Sequence, residues 1–359
     1  MNTCSRAATC ALPGRGAAIN PPNRFERLHL APDPDAELLP EEARPHPRTE
    51  YFFDASESLL TRNDSPDIPF THGLNPYRGC EHGCAYCFAR PYHEYLGWSS
   101  GLDFETKILV KLRAPELLRR ELAAPRWVPD NIAMSGVTDC YQPCERHFRI
   151  ARGCLEVCAE FRQPISIVTK NALVARDRDV LAGLARHGCA AVYVSVTSLD
   201  SELAGQLEPR ASRPAARLRA IRELAEAGIP VGVMTAPLIP GLNDHEVPAI
   251  LDAAARAGAT RAGYVVLRLP HAVKEIFTRW LEDHAPGKKN RVLARVRELR
   301  GGKLNVSEWG ARMWGEGIFA GQIRDLFAVA ARRAGLSQER RTLSAAHFRR
   351  AGGEQLTLF

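Results

Sequence analysis

Residues 79–92 read GCEHGCAYCFARPY and place Cys80, Cys84 and Cys87 within eight positions of one another. The chain has ten cysteines, and others cluster at 140/144 and 154/158. Clustered cysteines in a chain of 359 residues favour reduced thiols and a metal site over a disulfide framework. The stretch therefore predicts a metal centre and raises the question of why it contains three cysteines.

Two metal sites can be built on three thiols. A structural zinc usually takes four ligands, and either His82 or His93 could complete a Cys3His site. A cubane iron–sulfur cluster offers another arrangement, in which three thiolates hold three irons and the fourth iron stays open. The residues alone leave both alternatives open.

The chain around this stretch alternates between short apolar runs and helix-periodic segments. Such alternation predicts a parallel sheet with right-handed helical crossovers. Helical periodicity is clear at 178–187, 215–227 and 247–257. The six runs that we predict as strands are 72–77, 131–137, 164–170, 190–198, 229–236 and 261–269.

Three regions follow from this pattern. Residues 1–62 are rich in Pro, Ala and charged residues without sustained periodicity, which predicts an irregular leader. Residues 63–270 form the α/β core, and residues 271–359 read as a basic helical region with a short exposed tail. We find neither a membrane-spanning apolar run nor a secretory signal, so we expect a cytoplasmic protein.

The Cys-x-x-x-Cys-x-x-Cys spacing, with an aromatic residue before the last cysteine, resembles the signature of the radical S-adenosylmethionine (SAM) superfamily. The resemblance implies a [4Fe–4S] cluster on Cys80, Cys84 and Cys87, whose open iron chelates SAM. It implies that an electron from the cluster cleaves SAM to a 5′-deoxyadenosyl radical, which abstracts a hydrogen atom. It also implies a partial (β/α)6 TIM-like barrel and an electron donor such as flavodoxin or ferredoxin.

A second motif narrows the resemblance. Residues 138–145 read TDCYQPCE, which looks like the branch related to spore photoproduct lyase, often called DNA repair photolyase-like. Over about residues 63–270, positions at successive strand ends resemble that branch's SAM-binding segments. The residues that the resemblance assigns to SAM are Thr138, Asp139, Lys170, Ser195, Thr197, Arg210, Pro240 and Gly241.

Cys140 is a candidate hydrogen donor. In spore photoproduct lyase a cysteine just ahead of the Thr/Ser-Asp segment returns a hydrogen atom to the product radical. Here Gly136 and Val137 occupy that stretch, whereas Cys140 follows Asp139 directly. The alternative is an ordinary loop thiol.

The charge distribution suggests a polyanionic partner. The formal net charge is +7, and residues 286–350 contain 15 Lys or Arg and 5 Asp or Glu. A basic region of this kind is typical of DNA-binding proteins, although it is also compatible with a solvated helical surface. The tail 355–359, QLTLF, resembles the peptide with which bacterial repair proteins bind the sliding clamp.

Together these features predict a radical SAM enzyme that acts on nucleic acid, such as a damaged or modified DNA base. Two alternatives remain at this stage. One is a radical SAM enzyme that acts on a protein, a peptide or a small molecule. The other is a zinc-binding nucleic-acid module without enzymatic activity.

Overall fold

The computed structural model describes residue 12, residues 14–26 and residues 48–350. Within these ranges there are three 3-10 helices, at Arg90–Leu96, Ala172–Asp177 and Asp244–Glu246. The strands in the same ranges are β1 (Glu50–Phe53), β2 (Leu60–Arg62), β3 (His72–Leu74), β4 (Tyr77–Arg78), β5 (Lys107–Val110), β6 (Ile132–Met134), β7 (Ile165–Thr169), β8 (Ala190–Ser195), β9 (Val231–Leu238) and β10 (Arg261–Val266). The α-helices there are α1 (Leu102–Thr106), α2 (Ala114–Ala123), α3 (Glu145–Phe148), α4 (Ile150–Phe161), α5 (Arg178–Ala185), α6 (Ser201–Leu207), α7 (Pro214–Glu226), α8 (Val247–Arg256), α9 (Val273–His284), α10 (Pro286–Glu298), α11 (Ala311–Trp314) and α12 (Gly317–Arg333).

The main sheet has the strand order β10-β9-β8-β7-β6-β3-β2. Strands β3, β6, β7, β8, β9 and β10 are parallel, and β2 pairs antiparallel with β3 at one edge. Each parallel strand overlaps one of the six predicted runs. The α/β fold with a parallel sheet is therefore confirmed, and because β10 and β2 stand at opposite edges the barrel is partial.

The two faces of the sheet differ in packing. On β7, Ile165 and Ile167 are fully buried in the core. Val168, which follows Ile167, is 40% exposed. Successive side chains of a strand point to opposite faces, so the apolar face packs on the helices and the other face borders open space. The helices thus bury one face of the sheet and leave the concave face accessible.

A smaller sheet covers part of the chain that we expected to be irregular. Its order is β1-β5-β4, and β1 runs parallel to β5 with Glu50 opposite Lys107 and Phe53 opposite Val110. Strands β1 and β2 both lie within residues 1–62, and the expected boundary at 62 separates β2 from its partner β3. This part of the leader forms strands because it pairs with β5 and β3. Pairing between segments that are apart in sequence gives no local periodicity from which these short strands could be predicted.

The C-terminal region packs on the barrel from two directions. Helix α12 packs against α8, and the segment after it returns along the amino ends of the strands. There the N–H of Ser344 donates to the carbonyl of Gly188 at 3.0 Å, and the N–H of Arg349 donates to that of Phe161 at 2.9 Å. Part of the basic region thus lies at the barrel end opposite the strand carboxyl ends. The tail 355–359 lies outside the described residues.

None of the helices in the described part of the chain combines the length and the apolar character that crossing a lipid bilayer requires.

Candidate active site

The three predicted cluster ligands lie on one loop, which joins β4 to the following 3-10 helix. Cys80 and Cys84 are 7% and 8% exposed, and Cys87 is half-buried. Gly83 has a φ of 66°, and an added Cβ there would lie 2.6 Å from Oε2 of Glu105. A left-handed backbone so close to a carboxylate requires glycine. The loop therefore holds its thiols largely out of bulk solvent.

Burial and the nearby cations act on the thiols in opposite directions. Burial raises the pKa of Cys80, Cys84 and Cys87 above the ordinary value. The ammonium of Lys170 opposes this effect at Cys84 and Cys87, and the guanidinium of Arg90 opposes it at Cys87. Bound iron replaces the thiol proton, so three such thiols fit a [4Fe–4S] cluster with one open iron. Across the described residues, no three His, Cys, Asp or Glu side chains are arranged to hold a single metal ion.

A buried ion pair lies beneath the loop. Arg90 and Glu105 are in contact, and both are 0% exposed. Arg90 also donates to the carbonyl oxygen of Cys84 at 2.9 and 3.0 Å and to that of Gly101 at 2.8 Å. A charge removed from water needs this degree of pairing. The pair consequently fixes the backbone that carries one of the cluster cysteines.

The N-terminal segment completes this support. The Glu105 carboxylate accepts the N–H of Gly16 at 3.1 Å and that of Ala17 at 2.8 Å. An added Cβ at Gly16 would lie 1.6 Å from the carbonyl oxygen of Gly83, so the two backbones are in direct contact. This segment lies in the predicted irregular leader, and its sequence contains no motif that indicates the contact. Backbone packing between segments about 70 residues apart leaves no such signal.

The loop after β6 is hydrogen-bonded to the cluster loop, and each loop both donates and accepts. Oε1 of Gln142 accepts the N–H of Glu81 at 2.9 Å, and its Nε2 donates to the carbonyl of Gly79 at 3.2 Å. The Glu81 carboxylate accepts the N–H of Cys144 at 2.6 Å and pairs with Arg210 at 3.1 Å. Part of the TDCYQPCE motif therefore positions the cluster loop. Arg210 faces this loop, and its contact with SAM stays a prediction.

Asp139 and Lys170 meet at the ends of β6 and β7. The Asp139 carboxylate accepts the hydroxyl of Thr169 at 2.8 Å and the N–H of Lys170 at 2.7 Å, and it lies 3.4 Å from Nδ1 of His82. Nε2 of His82 is 3.2 Å from the amide nitrogen of Asn171, which can only donate. Burial alone would raise the pKa of Asp139, but His82 and the backbone hydrogen bonds outweigh it and lower the pKa to about 2.

A second buried network connects the cluster loop to β8. Glu208 is 1% exposed, and its carboxylate contacts the hydroxyl of Tyr86, the hydroxyl of Thr197 at 2.5 Å and the guanidinium of Arg217. Burial alone would raise the pKa of Glu208, yet Arg217 and Lys170 lower it, so the carboxylate stays ionised. The sequence motif points to Arg210 in this region and gives no signal for Glu208 and Arg217. Their pairing becomes visible only when α7 packs against the barrel.

The remaining predicted SAM residues lie on the same end of the barrel. Thr138 donates its hydroxyl to a backbone carbonyl of β4 at 2.7 Å, and Ser195 donates to a backbone carbonyl of β9 at 3.0 Å. Pro240 and Gly241 lie on the loop after β9, where Gly241 has a φ of 78°. These hydroxyls serve the fold, and the assignment of all four residues to SAM stays a prediction.

Cys140 lies in a different environment from the cluster cysteines. It is fully buried within the main hydrophobic core beside Tyr141 and Cys154, and its N–H donates to the hydroxyl of Ser135 at 2.9 Å. Burial raises the pKa of its thiol well above the ordinary value. Cys80 belongs to a separate cluster of apolar side chains. The hydrogen-donor role of Cys140 stays a prediction.

Comparison with known proteins identifies the family. Residues 74–254 match the family model of the radical SAM superfamily, which is more than half of the 359 residues. The chain therefore belongs to the radical SAM superfamily. Its cofactors are a [4Fe–4S] cluster and SAM, which decides between the iron–sulfur and zinc alternatives.

The chain is also similar to proteins of other organisms. The chain is 37% identical over 234 residues to the uncharacterized protein Rv2578c of Mycobacterium tuberculosis, covering 65% of this chain and 68% of the relative. It is 30% identical over 176 residues to the uncharacterized protein MJ0683 of Methanocaldococcus jannaschii, covering 48% of this chain and 62% of the relative.

The fold is similar to that of spore photoproduct lyase. A structure of one variant of that enzyme superimposes with a TM-score of 0.58 at 16% identity, over 81% of this chain and 82% of the other. The complex of the enzyme with a dinucleoside spore photoproduct gives a TM-score of 0.54 at 15% identity, over 80% of each chain. At this identity the likeness establishes the shared fold.

Proposed function

We propose that this radical SAM enzyme abstracts a hydrogen atom from a nucleic acid, and more specifically from a damaged or modified base in DNA. The observation that carries the proposal is the fold shared with spore photoproduct lyase over about four-fifths of the chain, well beyond the matched family region. One structure of that enzyme contains a dinucleoside lesion. The basic C-terminal region adds a source of attraction for phosphates.

In this proposal Cys80, Cys84 and Cys87 hold the cluster. When bound, the cluster and SAM supply a 5′-deoxyadenosyl radical that can take a hydrogen atom from carbon. The chain's own residues fix the loop from below through Arg90 and Glu105 and exclude water from the thiols. The residues that we propose for SAM binding are Thr138, Asp139, Lys170, Ser195, Thr197, Arg210, Pro240 and Gly241.

The position of the thiols sets a requirement for the substrate. The cluster loop lies at the carboxyl ends of the strands, where Cys80 and Cys84 are buried and Cys87 is half-buried. A base inside a duplex cannot reach such a site, so the target nucleotide must leave the stack or come from a single strand. Damaged and mispaired bases leave the stack at lower cost, which favours a lesion as the target.

We also propose a cytoplasmic location and a flavodoxin or ferredoxin as the electron donor. All eight cysteines in the described part of the chain are free thiols, which suits a reducing compartment. The sliding clamp remains a candidate partner through residues 355–359.

The test is release of 5′-deoxyadenosine by anaerobically reconstituted protein given SAM and dithionite, with Cys84→Ala as the control. We expect release from the wild type alone, and faster release when lesion-containing DNA is added. Release that peptides or small molecules stimulate and DNA does not would favour the alternative substrate class. Equal release by Cys84→Ala would contradict the assignment of the cluster to this loop.

A further inference from the structure

Arg268 carries a positive charge that the described residues leave unpaired. It follows the carboxyl end of β10 and is half-buried. Its Nε is buried and has no hydrogen-bond partner among the described residues, and its Nη1 lies 3.7 Å from the sulfur of Met313. Within the same residues no carboxylate lies within ion-pairing distance of it, although Asp67 pairs with the neighbouring Arg312 at 2.8 Å.

This arrangement is unfavourable for the folded protein by itself. A partly desolvated cation whose partners among the described residues are only the Met313 sulfur and the Phe88 ring costs free energy, and Arg312 places a second positive charge nearby. Burial and then Arg312 lower the pKa of Arg268, which is the response expected of a cation in such surroundings. A group held at a cost to stability is a candidate for binding a ligand that supplies the missing charge.

The position of Arg268 indicates what that ligand is. Its guanidinium carbon lies 4.9 Å from the ring centre of Phe88, the residue after the cluster ligand Cys87. Phe88 is 36% exposed, and Tyr92 on the adjoining 3-10 helix is 55% exposed. An anion site beside exposed aromatic rings matches a nucleotide, which combines a phosphate with a flat base.

We propose that Arg268 binds a phosphate of the substrate strand and that Phe88 contacts the adjoining unstacked base at the entrance to the cluster. The proposal rests on the nucleic-acid substrate of the proposed function and names the contact that would hold it. It assigns recognition to a residue outside the basic region 286–350. The anion could also be the carboxylate of SAM, and the experiment separates the two.

The experiment measures binding of a fluorescein-labelled single-stranded oligonucleotide to the reconstituted full-length protein by fluorescence anisotropy, over a range of salt concentrations. The variant is Arg268→Met. The control is Arg256→Met, which removes a side chain on α8 that is 69% exposed and lies outside the basic region 286–350. Binding of SAM and thermal unfolding are measured on the same samples.

We expect Arg268→Met to bind the oligonucleotide about tenfold more weakly, since an arginine–phosphate contact is charge-assisted. The slope of log affinity against log salt should become shallower by about 1. Its Tm should change little, because the change relieves a partly desolvated cation but also removes that cation's contact with the Phe88 ring. Arg256→Met should bind like the wild type.

Other results would overturn the inference. A lower Tm with unchanged oligonucleotide binding would mean that Arg268 is structural. Weaker SAM binding with unchanged oligonucleotide binding would assign the anion to the cofactor. If the wild type releases 5′-deoxyadenosine but does not bind the oligonucleotide, the nucleic-acid substrate itself fails together with this contact. If the wild type binds and Arg268→Met binds equally, only the contact fails.

Discussion

Glu105→Gln tests whether the buried ion pair with Arg90 supports the cluster loop. The change keeps the shape of the side chain and removes its charge. Both residues are 0% exposed, so water cannot solvate the guanidinium that is left unpaired. Breaking a buried pair by removing one partner costs about 3–5 kcal/mol. Arg90 keeps its hydrogen bonds to the carbonyls of Cys84 and Gly101, so we expect about 3 kcal/mol.

The free energy of unfolding is measured by urea titration followed by circular dichroism, and iron per chain is measured after anaerobic reconstitution. The matched control is Glu116→Gln, which breaks a pair with Arg113 whose side chains are both 64% exposed. We expect no measurable loss of stability in the control because exposed pairs contribute little. A loss below about 1 kcal/mol in Glu105→Gln, with full iron content, would refute the reasoning.

Three further predictions concern other parts of the chain. Gly16→Ala should lower the iron content after reconstitution, because the new methyl group would overlap the Gly83 carbonyl oxygen of the cluster loop. The control is Gly287→Ala, where nothing lies within 4 Å of an added Cβ, and its iron content should match that of the wild type. Asp67→Asn should lower the Tm at neutral pH. Its hydrogen bond with Arg312 lowers the pKa of Asp67 to about 2, so the stabilisation is present above about pH 4 and is lost towards pH 2. The difference in Tm between Asp67→Asn and the wild type should shrink as the pH falls from about 4 to about 2. A difference that stays constant would contradict a stabilising role for the ionised Asp67. Deleting residues 355–359 should abolish retention on immobilised sliding clamp, and undiminished retention would remove the clamp as a partner.

Much of the barrel follows from local sequence. The strands β7 and β8 were predicted because ISIVT and AAVYVS are β-branched, apolar runs, and buried parallel strands need such residues. The chain between them shows helical periodicity, which implies a crossover and hence a parallel sheet. Strands β1 and β5 were missed because they are short and pair with each other, although they are distant in sequence.

The supporting residues of the site could not be predicted in the same way. Glu105, Gln142 and Glu208 each look like an ordinary polar residue in sequence, and their roles come from contacts with the cluster loop. Burial turns these contacts into strong constraints, since a polar group removed from water must find a partner. Sequence does not indicate which groups will be buried together.

The sequence by itself indicated the family and predicts Cys80, Cys84 and Cys87 as the cluster ligands, because these cysteines lie on one short loop whose spacing is independent of the rest of the fold. Only the tertiary structure decided what surrounds that loop. It brought Gly16 against the backbone of the cluster loop at Gly83. It also placed Arg268 beside Phe88 with no carboxylate partner among the described residues. The physical reason is that burial and charge pairing depend on neighbours in space, which residue order does not specify.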